Sequence, residues 1–100
     1  MGAGIDVKMN YDQMEDMAKA FDYASRQLGD TISKMDKVAK MLEEGALLGA
    51  AGEEFVRAIR GPLTKRLTTL RSKMDEMAKD IRHSVSDTRQ GVADSKAKYG

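Results

Sequence analysis

Cysteine and tryptophan are both absent from this chain of 100 residues, which also has only one histidine and one proline. Without cysteine it can form neither a disulfide nor a thiolate metal site, although its absence is compatible with export. A metal site would have to be built from carboxylates around the single His83, and the adjacent positive charge of Arg82 opposes that. We therefore expect no metal ion and no other cofactor.

Long apolar runs are missing as well. No stretch approaches the ~18 consecutive apolar residues of a membrane-spanning helix, and the first residues lack the apolar region of a signal peptide. We therefore expect a protein that is cytoplasmic before export and that becomes secreted or attached to the cell surface without a cleaved signal peptide.

The chain also lacks a recognisable catalytic arrangement. Ser84 and Ser86 lie near His83, but adjacent residues of a helix point to different sides. The segment Gly49-Ala50-Ala51-Gly52 has no Lys-Ser or Lys-Thr pair, which a phosphate-binding loop requires. We expect no enzymatic activity, so the function must lie in what the surface binds.

What the sequence does have is two long helical patterns on either side of a midpoint rich in Gly and Ala. Apolar residues recur at alternating steps of three and four, which is typical of a helix with one apolar stripe. The pattern predicts an all-α fold with one domain over residues 1–100, an antiparallel two-helix hairpin. We expect helix 1 at about 10–44, a turn at 45–52 and helix 2 at about 53–94.

The residues at the helix ends agree with these bounds. Asn10 or Asp12 can cap the first helix, and Gly45 can supply the left-handed residue that commonly ends one. In the second helix, Pro62 cannot donate a hydrogen bond to the carbonyl of Ala58. A kink is therefore predicted at 61–62.

The stripes predict the residues that pack the helices and form a dimer. A two-helix hairpin buries a single seam, whereas ordering each residue costs about 1.5 kcal/mol. Ala18, Ile32 and Ala39 widen the first stripe, so we expect uncovered apolar surface on that side. The predicted stripe consists of Met14, Met17, Phe21, Leu28, Ile32, Met35, Val38, Leu42, Leu63, Leu67, Leu70, Met74, Met77 and Ile81.

Two hairpins packed as a four-helix bundle would cover this surface. We predict a homodimer, or a heterodimer with a similar hairpin, that sediments at about twice the chain mass of 11.0 kDa. Of the eight methionines, five fall on the stripes, where they can serve as adaptable core residues or as a plastic surface for a partner.

Charge divides unevenly between the two predicted helices. Residues 10–44 carry eight acids and five bases, net −3, and residues 53–100 carry seven acids and eleven bases, net +4. From Arg57 to Lys73 there are six bases and no acid. This run either complements the acidic first helix or binds an anionic membrane or nucleic acid. The net charge of +1 and the lack of interleaved aromatic residues argue against the second alternative.

The midpoint segment Leu47-Leu48-Gly49, with Phe55 eight residues after Leu47, resembles the turn of the WXG family, the ESAT-like proteins of type VII secretion. These are helical hairpins of roughly a hundred residues with a Trp-Xaa-Gly turn and an aromatic residue eight positions after the Trp. The opening Ile5-Asp6-Val7, followed by an amphipathic helix, is similar too. Leu47 replaces the tryptophan, which in this family is implicated in secretion as well as in packing.

The resemblance assigns Leu47, Gly49 and Phe55 to a turn motif. We expect Leu47 and Phe55 to pack together at the end of the bundle. If the ring is buried, Phe55→Ala should cost about 3 kcal/mol or more. Gly49 should adopt a backbone conformation that a side chain would strain.

The resemblance implies a non-enzymatic secreted substrate or partner protein of a type VII secretion system that acts through helix–helix dimerisation. A type VII toxin helical domain and the secretion ATPase are further candidate partners. The family's export pattern Tyr-Xaa-Xaa-Xaa-Asp/Glu is not completed after Tyr99, so export is expected to depend on a partner. Two alternatives stay open: a cytoplasmic adaptor or chaperone hairpin for a larger secreted toxin, and a basic helical protein that binds membrane or nucleic acid.

Overall fold

The computed structural model describes the backbone of residues 10–46 and 49–99, and in this part of the chain two long helical segments form a hairpin. Helix α1 spans Tyr11–Met41, α2 spans Ala50–Ala58 and α3 spans Thr64–Tyr99. A wide π-helical turn, Leu42–Ala46, follows α1, and a second one, Ile59–Leu63, joins α2 to α3. The molecule extends over 74 × 28 × 17 Å, and the predicted all-α hairpin is confirmed. The expected loose segment 1–9 and the pair Leu47-Leu48 lie outside the described residues.

Both ends of the first helical segment carry the expected signals. Of the two candidate caps, Asn10 is the one used: its side-chain oxygen accepts a hydrogen bond from the Gln13 backbone N–H at 3.0 Å. At the other end, Gly45 has a φ of 102°, in the left-handed region that was predicted for it. The chain then turns, and α2 begins at Ala50, three residues before the expected start.

Gly49 precedes α2 with φ 96° and ψ −167°. As predicted, this is a backbone conformation that a side chain would strain. Only glycine adopts this combination readily, because any side chain would collide with the backbone. The Gly49 carbonyl accepts the first hydrogen bond of α2, from the Glu53 N–H at 3.2 Å.

Replacing Gly49 with alanine should therefore lower the free energy of unfolding by about 1–2 kcal/mol. The matched control is Gly91→Ala in α3, where a Cβ meets nothing within 4 Å and the helix gains about 0.4–1 kcal/mol. Urea unfolding followed by circular dichroism would measure both variants. Equal stability of the Gly49 variant and the wild type would show that the turn has a different backbone conformation.

Pro62 widens the second helical segment without breaking it, so the predicted kink takes the form of a π turn. The Thr64 N–H bonds to the carbonyl oxygens of Gly61 and Ile59, and the Thr64 hydroxyl also donates to the Ile59 carbonyl. The bond from Thr64 to Ile59 spans five residues, one more than in an α-helix, and so keeps the chain helical past the proline. Beyond this turn α3 continues to Tyr99, five residues past the expected end near 94.

Small residues form the buried seam of the hairpin. Ala18 and Ala39 are fully buried at 0% exposure, Ala78 follows at 2% and Ser25 at 5%. The expectation that the Ala18–Ile32–Ala39 side is uncovered was therefore wrong: these alanines lie inside the single chain, with Ile32 half-buried beside them. Their small side chains let the two helices approach closely, which leaves the larger apolar residues at the flanks.

Candidate partner-binding face

One flank of the hairpin is closed by opposite charges. Residues seven apart share one side of a helix, and on α1 and the turn after it one such row of five residues contains four acids. Two arginines of the opposing segment reach them. The row consists of Glu15, Asp22, Gly29, Asp36 and Glu43, and we call it, with Arg60 and Arg82, the ion-pair edge.

The distances show that each arginine bridges two acids. Arg60 Nη1 lies 2.9 Å from Asp36 Oδ1, and its Nη2 lies 2.6 Å from Glu43 Oε1. Arg82 Nη2 lies 2.8 Å from Asp22 Oδ2 and 3.3 Å from Glu15 Oε1. Because the planar guanidinium presents several donors, one arginine can hold two carboxylates of consecutive heptads.

Two further contacts extend this edge along the hairpin. A Cβ built on Gly29 would lie 2.9 Å from Arg71 Cζ, so the Arg71 guanidinium lies against the backbone at the one position of the row without an acid. At the open end, Arg89 Cζ lies 4.3 Å above the centre of the Tyr11 ring, a cation–π geometry. Arginines thus contact α1 from end to end.

The ion pairs shift the pKa of two aspartates downward. A hydrogen bond from Arg82 lowers the pKa of Asp22 below its ordinary 3.8, and a hydrogen bond from Arg60, with a second from Lys40, does the same for Asp36. Both arginines have raised pKa values for the same reason. The folded state therefore favours the ionised carboxylates.

Acid should weaken the hairpin through these two groups. Because their folded pKa values are depressed, their stabilising contribution is complete above about pH 3.8 and is lost as the pH falls through the folded values. Thermal unfolding between pH 7 and pH 2 should show the melting temperature falling over the acidic end of that range. An Asp22→Asn/Asp36→Asn variant should start lower at pH 7 and fall less, and an unchanged slope would contradict the assignment.

The opposite flank is apolar and partly open to solvent. Nine of the predicted stripe residues are half-buried there, and four others are exposed. The exposed fractions are 48% for Met17, 39% for Leu63, 43% for Leu70 and 44% for Met77. We call this flank the apolar face, and Leu63, Leu70 and Met77 the exposed row of α3. The half-buried residues of this face are Met14, Phe21, Leu28, Met35, Val38, Leu42, Leu67, Met74 and Ile81, whereas the half-buried Ile32 lies in the seam, beside the ion-pair edge.

The turn motif is only partly described. Gly49 has its positive φ, but Leu47 lies outside the described residues, so its contact with Phe55 stays a prediction. The Phe55 side chain is 55% exposed, and within one chain the ring is not buried. The large loss of stability expected for a buried ring therefore does not apply to the single hairpin, and the ring is available to a partner.

Contacts within the hairpin occupy half of the basic run. Arg60 pairs with two acids, Arg71 lies against Gly29, and Lys73 Nζ is 3.4 Å from Glu76 Oε2. The partner of Lys73 lies on α3 itself, but the contacts of Arg60 and Arg71 favour the interpretation that the run complements the acidic first helix. The seven-residue spacing of Glu15, Asp22, Asp36 and Glu43 could have identified these partners, but it was hidden by scattered lysines on the same helix.

The remaining sequence candidates do not form a chemical site. His83 is exposed and lines an open groove of about 630 Å³ with Asp22, Asp75 and Arg82. Among the described residues, no group of three or more His, Asp or Glu side chains could hold a metal ion. Within the same part of the chain, no helix is long and apolar enough to cross a membrane.

Comparison with known proteins identifies the family. A family model described as proteins of 100 residues with WXG (WXG100) matches residues 6–97. The chain belongs to the WXG100 family. No curated protein and no solved structure matched it significantly. The resemblance drawn from Gly49, Phe55 and the turn position is confirmed.

Membership in WXG100 gives the chain a general role. It is a small helical protein associated with type VII secretion, and proteins of this family are non-enzymatic secreted substrates. They typically pair with similar hairpins. The apolar face is where this hairpin has surface left for such a pairing.

Proposed function

We propose that this WXG100 protein is a secreted substrate or partner protein of a type VII secretion system, without enzymatic activity, and that it acts by pairing its apolar face with another helical hairpin. The observation that carries the proposal is the contrast between the two flanks. One is closed by ion pairs within the chain, whereas the other leaves Leu70 and Met77 more than 40% exposed beside a half-buried row.

Covering the apolar face would supply the stability that a lone hairpin lacks. Fully burying a leucine or methionine side chain contributes about 1.5–3 kcal/mol relative to leaving it exposed, and the face holds four such partly exposed residues. Contiguous apolar surface of this kind often marks a site of protein–protein interaction. A second two-helix layer would bury both faces together, as in a four-helix bundle.

The same arrangement suits a protein whose task is to be carried or to accompany cargo. The hairpin displays one apolar face, and the ion-pair edge holds the two helices together on the other side. Export would take the pair, rather than the free chain, to the outside or to the cell surface. The exposed Phe55, close to the turn, adds an aromatic contact at one end of the same rod.

Export in the native host tests the proposal. The tagged chain should accumulate in the culture medium of the parent strain and remain in cells that lack the type VII secretion ATPase. A cytoplasmic marker protein measured in both media controls for lysis. Retention in the cells of both strains, together with capture of a larger toxin, would contradict secretion and support the cytoplasmic adaptor instead.

A further inference from the structure

Methionine is frequent in this chain, which has eight methionines and no cysteine. Met1 and Met9 lie outside the described residues. Met41 lies outside the apolar face, since the residues seven and fourteen positions before it, Lys34 and Gln27, are polar. The other five belong to the apolar face: Met14, Met17, Met35, Met74 and Met77. The surface that remains for a partner is therefore rich in thioethers.

The exposed fractions divide these methionines into two groups. On the apolar face, Met17 of α1 is 48% exposed and Met77 of α3 is 44% exposed, whereas the other three are half-buried. Met41 is 54% exposed. An oxidant reaches an exposed thioether before a covered one, so Met17, Met41 and Met77 should react first.

The parts that hold the hairpin together contain no methionine. Among the described residues of the seam, the buried side chains are alanines, Ser25 and Ile59. The ion-pair edge consists of acids, arginines and Gly29. A mild peroxide oxidises thioethers in preference to aliphatic, hydroxyl, carboxylate and guanidinium groups. It can therefore alter the apolar face and leave the hairpin folded.

The reaction at each sulfur is a two-electron transfer of oxygen. Hydrogen peroxide gives one oxygen atom to the thioether: an S–O bond forms as the O–O bond breaks, and the remaining oxygen leaves as water. The sulfur is oxidised, and the side chain becomes a polar sulfoxide. The sulfoxide oxygen accepts hydrogen bonds from water in the free chain but finds no donor in an apolar interface, so covering it there is unfavourable.

We infer that Met17 and Met77 are oxidation sites that control pairing: with both thioethers reduced the apolar face binds its partner hairpin, and with both oxidised to sulfoxides it stays free. This inference rests on the proposed function and adds regulation to it. Export takes the chain out of a reducing interior into surroundings where oxidants persist. A partner covers both sulfurs, so the oxidant acts on the free chain. A methionine sulfoxide reductase reverses the step.

Peptide mapping by mass spectrometry tests the two sites. The free chain is treated with increasing doses of hydrogen peroxide, and the sulfoxide content of each methionine is measured beside the circular dichroism signal. Met17 and Met77 should react together with Met41, before the half-buried methionines and without loss of helix. In the paired form Met41 should still react, whereas Met17 and Met77 should be protected. Protection of all three or of none, or loss of helix at that dose, would overturn the assignment.

Binding measurements test the consequence. The paired form isolated from the host is separated into its chains, and this chain is treated with hydrogen peroxide at the dose that fully oxidises Met41. Catalase then removes the peroxide, and the chain is mixed with its untreated partner. If the partner is a second copy, treated chains are measured alone. The dissociation constant from sedimentation equilibrium should rise roughly tenfold or more.

Leucine and glutamine variants assign the effect to the two sulfurs. Met17→Leu/Met77→Leu keeps apolar side chains of similar volume, so its dissociation constant should stay within about twofold of the wild-type value both before and after peroxide. The matched control, Met41→Leu, should remain as sensitive as the wild type. Met17→Gln/Met77→Gln places polar groups of similar length at the same positions and should weaken pairing without any oxidant, whereas Met41→Gln should not.

The outcomes separate this inference from the proposed function. A pair whose dissociation constant is indifferent to oxidation of Met17 and Met77, or a leucine variant as sensitive as the wild type, would overturn the inference and leave the proposed function intact. Failure to isolate any paired form would overturn both. A peroxide-sensitive pair that is never exported would support the oxidation sites and contradict secretion.

Discussion

Leu70→Asp combined with Met77→Asp is expected to abolish pairing of the hairpin, with a loss of affinity of about a thousandfold or more. Both side chains are more than 40% exposed in the single chain, so the substitution leaves the seam intact. In a paired state it would force carboxylates into an apolar interface, where an uncompensated charge is strongly unfavourable. Sedimentation at micromolar concentration should show the mass of one chain, and circular dichroism should show an unchanged helical content.

The matched control for this variant is Ser72→Asp/Ser86→Asp. Both serines are exposed on another side of α3, and their substitution adds the same two charges without touching the apolar face. Pairing should persist in the control. If the control dissociates equally, net charge rather than the apolar face governs association.

Ala18→Leu should produce the largest loss of stability in the single hairpin, about 3 kcal/mol. Ala18 is fully buried where the two helices approach closely, so a leucine side chain can be accommodated only by moving the helices apart. The control is Ala20→Leu, two residues away on the exposed side of α1, which should change the free energy of unfolding by less than about 0.5 kcal/mol. Both are measured by chemical denaturation below the concentration at which the chain pairs. A wild-type midpoint for Ala18→Leu would mean that the seam is wider than the buried alanines indicate.

The hairpin could be predicted because its signals are long and repeated. Two stripes extend over most of the chain and flank one segment rich in Gly and Ala, so the pattern favours a hairpin that packs the two helices side by side. The cap at Asn10 and the left-handed Gly45 follow from local chemistry alone, and both occupy their expected places.

The centre of the seam could not be predicted from apolarity. The stripe of α1 is broader than one neighbouring helix can cover, and its largest residues suggest a centre near Phe21 and Leu28. The structure rotates the helix so that Ala18 and Ser25 face inward and the acidic row meets Arg60 and Arg82. Two conditions decide the rotation together, close approach at small residues and pairing of charges across the helices. Neither appears in a count of apolar positions.

The same rotation explains why uncovered apolar surface was expected on the Ala18–Ile32–Ala39 side. The sequence predicts more apolar surface than one neighbouring helix can cover, and the structure does expose apolar surface. The alanines, however, lie in the seam, whereas the exposed residues are leucines and methionines. Likewise, a proline inside a helix predicts an irregularity at Pro62 but does not say which geometry it has. The form depends on Thr64, whose hydroxyl and N–H both bond to the Ile59 carbonyl.

The wide turn at Ile59–Leu63 also lets the heptad repeat tolerate an insertion. Leu67, Met74 and Ile81 are seven residues apart, whereas Ile59 precedes Leu67 by eight, yet Ile59 is still buried at 7% exposure. In an uninterrupted α-helix the extra residue would rotate everything before it by about 100°. The π turn absorbs that residue, so the segments on either side keep the same phase toward α1. The rod can therefore lose one residue at this point, Gly61 for example, without changing which faces it presents.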